Sequence, residues 1–158
     1  RGIARTVSCP VIASGGIMNG GDIVQAMAAG AAAVQLGTAF LPCPECGAAP
    51  AYKQAILSAR EDTTQITRAF SGRPARGLKN RFMEMVGERS DVILPYPLQN
   101  ALTRPMRTAA GKRGDREYLS LWAGQGVSRA RHMPAADLVR VLVEEMQEAE
   151  KGRQRSSA

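Results

Sequence analysis

VIASGGIMNGGDIVQAMAAGAAAVQLGTAF, running from Val11 to Phe40, is an apolar run ending in a glycine pair, a short helical segment, and a second apolar run ending in Gly37-Thr38. Val11-Ile12-Ala13 is short and β-branched, and Ala32-Ala33-Val34-Gln35-Leu36 is its counterpart. Such runs suit strands covered on both faces of a parallel sheet. The helix between them has a start and a stop. The Asn19 side chain is placed to accept from the N–H of Asp22, the Asp22 carboxylate suits the positive helix end, and Gly30 is free to turn left-handed. A strand, a helix and a strand joined this way imply a parallel pair with the helix outside it.

The loops of this unit carry its chemistry. Ser14-Gly15-Gly16 and Gly37-Thr38 fall at the carboxyl ends of neighbouring strands, where missing β-carbons let a ligand approach the backbone N–H groups. In eight-stranded α/β barrels, a phosphate site is commonly built from the loops after strands seven and eight and the start of a short extra helix. Spacing alone leaves two readings open, a phosphate cradle and a pair of tight turns that touch nothing. It does not name a ligand.

Three later segments, TRAFSGRPARGLKN, PYPLQNALTRPMR and LWAGQG, follow the first in a fixed order. With the Val11–Phe40 stretch and the proline before it, they resemble the FMN-dependent nitronate monooxygenases, the 2-nitropropane dioxygenase family. The first stretch is also similar to the flavin-dependent enoyl-ACP reductases of the same fold, whereas the later three resemble the monooxygenase branch. The resemblance covers nearly the whole chain. It implies an α/β fold, the C-terminal part of a TIM (β/α)8 barrel comprising its last two parallel strands, with a mainly helical smaller domain inserted after strand eight. Residues 1–41 would hold the last two strand-helix units, 42–129 the excursion with one short strand, 130–152 the final barrel helix, and 153–158 a disordered tail.

The implied reaction is FMN-dependent oxidation of alkyl nitronates or nitroalkanes by O2 to carbonyl compounds and nitrite. The implied FMN-phosphate contacts are Gly15, Gly16, Gln35, Leu36, Gly37 and Thr38, mostly through main-chain N–H groups. In the family, the histidine that takes the nitroalkane proton lies upstream of the strand at Val11, and no such motif occurs here. The single histidine, His132, does not match that position and reads as a surface residue ahead of the last helix. No catalytic residue is therefore assigned.

The chain has 158 residues, short of the about 200 that a complete eight-fold barrel needs. It is accordingly expected to be the C-terminal part of a longer protein and to be silent on nitronates by itself. The net charge is +7, yet the cations are dispersed and aromatics make up only 4% of residues, which disfavours nucleic-acid stacking platforms. Cys43 and Cys46 have the gap of a zinc half-site without a second pair, so no metal is expected. No membrane-length apolar run or signal peptide is visible, and a cytoplasmic location is expected. Partners are then a small nitronate or nitroalkane and O2, with no nucleic acid and no membrane. Two rivals remain, an enoyl-ACP reductase and a non-catalytic basic binding module.

The remaining chain reads as helix over Ala49–Arg60, a half-exposed strand over Ile66–Phe70, a loop over Ser71–Gly77, and helix over Leu78–Val86 with Leu78, Phe82, Met85 and Val86 inward. An extended Val92–Pro97 segment precedes a helix over Leu98–Ala110 that Pro105 either kinks or restarts. Glu117–Gly126 reads as a short aromatic helix. The last helix, entered at Pro134, should bury Leu138, Val139, Leu142, Val143 and Met146. Arg73 and Arg76 read as solvated or paired with acidic groups rather than as an anion clamp. Gln125 is a candidate polar contact to the flavin, and Trp122 either joins it there or plugs a domain seam.

Overall fold

A computed structural model describes residues 2–156 of the chain. They form two compact units, one of residues 2–46 with 129–156 and the other of residues 47–128.

In the first unit, helix α1 (Gly2–Thr6) precedes strand β1 (Ile12–Ser14), helix α2 (Gly20–Ala28) and strand β2 (Ala33–Gln35). β1 and β2 pair in parallel, with Ile12 opposite Ala33 and Ser14 opposite Gln35. Asn19 caps α2 as its side chain predicts, and Asp22 returns the bond to complete a capping box. Gly30, just past the helix, has φ +103°. The expectation of strands covered on both faces fails: Ile12 is 61% exposed. Ala13 and Val34 are half-buried while their neighbours on the other face are exposed, because no third strand or helix covers that side among the described residues.

The chain closes on this unit with α6 (Ala135–Ser156), which packs along α2. The frayed tail expected from residue 153 is thus helical to Ser156, and the last two residues lie outside the described ones. Leu138 and Leu142 join Met18, Ala39 and Cys43 in the core, edged by Ile23, Leu36 and Phe40. The broad apolar face expected of α6 is narrower than the sequence suggests, since Val139 and Val143 are exposed. Residues at i and i+4 make one stripe, and the contact with a short neighbour such as α2 uses only that stripe.

The second unit contains α3 (Pro50–Leu57), an antiparallel hairpin of β3 (Thr64–Thr67) and β4 (Ala75–Leu78), α4 (Arg81–Gly87) and α5 (Leu98–Arg113). Three expectations are corrected here. The strand starts two residues early, leaving Ile66 exposed and Thr67 buried, because register is set by pairing with a β4 that the glycine- and arginine-rich sequence hid. Leu78 ends β4 rather than starting a helix, and α4 starts only after Asn80, which is buried. Its Oδ1 accepts from the Met83 N–H, and its amide donates to the Arg116 and Leu119 carbonyls. The three-residue shift turns Met83 inward and leaves Met85 exposed. Finally, Glu117–Gly126 is not one helix: a 3-10 turn at Arg116–Tyr118 leads to a segment where Trp122 bridges Gly77, and a second 3-10 turn begins at Gln125.

Phe70, fully buried, is the centre of this unit. Its ring meets Phe82 at 4.9 Å and the edge of Trp122 at 5.6 Å between centroids. Beneath it, the Gln99 amide donates to the Ala69 carbonyl at 2.6 Å and the Thr103 hydroxyl to the Phe70 carbonyl at 2.7 Å. The loop backbone is thereby satisfied by two side chains of α5.

The closest approach in the first unit falls at Gly20, where an added β-carbon would lie 2.2 Å from the Met146 amide nitrogen. Gly20→Ala should therefore force α2 off α6 and cost about 1–3 kcal/mol, the usual range for overpacking. Gly152→Ala, where the added carbon meets open space, should be neutral or stabilising by up to about 1 kcal/mol. Urea unfolding of the two variants measures the difference, and equal midpoints would refute the close approach.

Candidate functional site at the strand ends

The parallel register places Ser14 beside Gln35, so both glycine turns leave the same edge of the β1–β2 pair. Gly15 and Gly16 follow β1 with φ of +101° and +73°, a region that side chains rarely enter. Both are exposed, and an added β-carbon on either would meet open space. Gly37 follows β2 by two residues and heads a 3-10 turn over Thr38–Phe40. It too is exposed with open space beside it. Among the described residues, no hydrogen bond is donated by the N–H of Gly15, Gly16 or Gly37. Of the other expected contacts, Gln35 is exposed, Thr38 half-buried, and Leu36 packs its side chain on the core, leaving only its backbone for a ligand.

The conformation of the first turn is held by one of the many cations dispersed along the sequence. Arg129 donates from Nη2 to the Gly16 carbonyl at 2.9 Å, and from Nη1 to both carboxylate oxygens of Asp22 at 3.1 and 2.8 Å. Asp22 also accepts from the Met18 N–H at 2.8 Å and the Asn19 N–H at 3.3 Å. The next N–H, of Gly20, donates to Glu145 on α6, which is paired with Arg131 at 2.8 Å. The Met18, Asn19, Gly20 and Asp22 amides at the entry to α2 are thus spoken for, while those of Gly15 and Gly16 before it stay open. Only proximity across 113 residues could reveal Arg129; its local sequence, VSRAR, carries no motif signal.

Comparison with known proteins agrees with this architecture. The profile of the nitronate monooxygenase family matches residues 2–145. The chain belongs to that family. A nitronate monooxygenase of Pseudomonas aeruginosa is 45% identical over 145 residues, 91% of this chain and 41% of the relative. A probable nitronate monooxygenase of Staphylococcus saprophyticus is 41% identical over 90% of this chain and 40% of its own. Among solved structures, nitroalkane oxidase from Streptomyces ansochromogenes superposes with a TM-score of 0.88 at 47% identity, covering 95% of this chain and 43% of that one. FabK from Thermotoga maritima gives 0.83 at 30% identity, over 99% and 50%. The chain therefore spans about two fifths of the length of the curated nitronate monooxygenases it matches.

Other residues that stand out in the sequence lie as follows. His132 is exposed just before α6. Cys43 is buried, Cys46 half-buried and Cys9 exposed, and no metal-ligating cluster of three occurs among the described residues. Among the described residues, neither of the two arginines on the Ser71–Gly77 segment pairs with an acid. Arg76 donates to the Thr64 carbonyl and hydroxyl, and Arg73 lies over the Tyr96 ring at 4.9 Å. Trp122 packs on Phe70 within the second unit, and Gln125 is exposed. Among the described residues, no helix is long and apolar enough to cross a membrane.

Burial by itself would raise the Asp22 carboxyl, but the Arg129 hydrogen bond, the Met18 N–H, the guanidinium charge and the Asn19 N–H outweigh it and hold it below its ordinary value. A carboxyl depressed in the folded state leaves the unfolded chain binding more protons. Its stabilising contribution is therefore complete above the ordinary value of 3.8 and is lost as the pH falls through the lower folded-state value. Arg129→Gln should accordingly be less stable than the native chain at neutral pH, and the gap should narrow as the solution is taken below 3.8. Urea titrations across that range check this; a gap independent of pH would mean that Asp22 gains nothing from Arg129.

Proposed function

We infer that the complete protein is an FMN-dependent nitronate monooxygenase and that this chain supplies its FMN-phosphate site. In this reading β1 and β2 are the last two strands of a TIM (β/α)8 barrel, and residues 47–128 form the excursion after strand eight. The observation that carries the reading is the set of open glycine N–H groups on one edge of a parallel pair, in a chain of the nitronate monooxygenase family. Exposed turns with room where β-carbons would be, and donors with no protein acceptor, suit a phosphate dianion.

Gly15 and Gly16 present one set of amides, and Gly37 with Thr38 the other, with Gln35 and Leu36 giving the backbone that leads into it. Arg129 takes no part in anion contact in this assignment. It ties the Gly16 carbonyl back toward α2, so that the peptide units of the turn keep their N–H groups outward. The capped entry of α2 adds its positive end to the same region. When bound, FMN supplies the redox chemistry by which a nitronate is oxidised with O2 to a carbonyl compound and nitrite. The residues named here bind and orient it. Proton removal from a nitroalkane is assigned to no residue of this chain.

Gly37 has φ −119°, an ordinary value for any residue, and space beside it, so Gly37→Trp should fold normally while filling the anion site. Flavin binding by the complete protein should fall to background, read from visible absorbance alongside unchanged far-ultraviolet circular dichroism. Stoichiometric flavin in that variant would remove the site. Nitrite release from an alkyl nitronate tests the activity itself, and NADH oxidation dependent on an enoyl thioester, without nitrite release, would favour the reductase reading instead.

A further inference from the structure

The second unit contains a cleft of about 280 Å³ bordered by Tyr52 of α3, by Arg104, Arg107 and Thr108 of α5, and by Leu119 and Ser120. No acidic residue lines it. Among the described residues, neither arginine forms an ion pair.

Two guanidinium groups one helical turn apart repel each other, and a partly desolvated cation needs acceptors on every donor. Arg107 has too few. Its Nη2 donates to the Asn100 carbonyl at 2.9 Å and to the Asn100 Oδ1 at 2.8 Å, reaching two turns back past Pro105. Its Nε is buried and has no hydrogen-bond partner among the described residues. Burial, then the charge of Arg104, makes the charged form of Arg107 harder to hold. The bond to Asn100 explains why the side chain is fixed, since Pro105 deprives the Ala101 carbonyl of its helical donor and the arginine straps the same stretch of helix. It does not explain a second cation beside the first with no counter-charge.

We propose that this cleft is a binding site for a small oxyanion-bearing ligand, a phosphate ester or carboxylate, held by the Arg104 and Arg107 guanidinium groups with the Thr108 and Ser120 hydroxyls beside them. Guanidinium forks match the planar or tetrahedral oxygens of such groups, and hydroxyls donate to the oxygens left over. Tyr52, whose hydroxyl donates to the Trp122 carbonyl, and Leu119 supply a less polar wall for the carbon part of the ligand. The proposal is independent of the flavin assignment, because every residue in it belongs to the second unit.

The test titrates the complete protein, carrying isotopically labelled arginine, with inorganic phosphate and separately with succinate, while the arginine Nε–H signals are followed by nuclear magnetic resonance. Saturable shifts of the Arg104 and Arg107 signals are expected with at least one anion. Arg104→Gln, at an exposed position where folding is not at issue, should weaken that binding about tenfold or more, and Thr108→Val with Ser120→Ala should weaken it also. Gly37→Trp should leave it unchanged. Saturation by phosphate alone marks a phosphorylated ligand, and by succinate alone a carboxylate. Linear drift with both anions, an undiminished response in Arg104→Gln, or loss of the response in Gly37→Trp would each overturn the proposal.

Discussion

The guanidinium of Arg129 touches both the Gly16 carbonyl and the Asp22 carboxylate, and the geometry of the glycine turn follows from that double contact. A turn through two residues with positive φ has no side chains to hold it. Left to itself it would be among the more mobile parts of the molecule. Here it is bounded on one side by a strand, on the other by a capped helix, and its Gly16 carbonyl is fixed by a charged donor. What stays open are the N–H groups of the exposed Gly15 and Gly16.

That restraint is built from carboxylates that already have work in α2. Asp22 closes a capping box, and Glu145 reaches from α6 to the Gly20 N–H. Each is then paired with an arginine from the segment that leads into α6. The close contact at Gly20 serves the same end, since only a residue without a β-carbon lets α6 approach near enough for Glu145 to make its bond. Individually such exposed or half-exposed ion pairs contribute little. Their effect here is positional, because together they fix which amides are used inside the protein and which stay open.

The second unit solves a different problem. A loop that carries Ala69 and Phe70 into a core would strand two carbonyls, and α5 satisfies both with Gln99 and Thr103. These residues lie in the segments that carry the family likeness, TRAFSGRPARGLKN and PYPLQNALTRPMR. In this chain those segments serve folding, since Gln99 and Thr103 complete the backbone around Phe70. Arg104 and Arg107 follow them on the same helix, and although Arg107 is tied to Asn100, the pair has no counter-charge among the described residues.

Much of the first unit is legible in the residues alone. Asn19, Asp22 and Gly30 announce α2, and the two apolar runs on either side of it announce a parallel pair, because helix capping and strand hydrophobicity are local effects. The glycines of the strand ends are legible for the same reason, as positions where a side chain would be an obstacle. Long-range pairing decided the rest. The second strand of the hairpin is hidden in a run of arginine, glycine and proline, and only its partner strand gives it a register that shifts α4 by three residues and turns Met83 inward. Arg129 looks like any other surface cation until the fold brings it across the chain to Gly16, and the Arg104–Arg107 pair looks like ordinary helix surface until the cleft shows that no acid comes to meet it. Sequence states what each residue is able to do with its neighbours in the chain, whereas the burial of a charge and the choice of its partner are properties of three-dimensional packing.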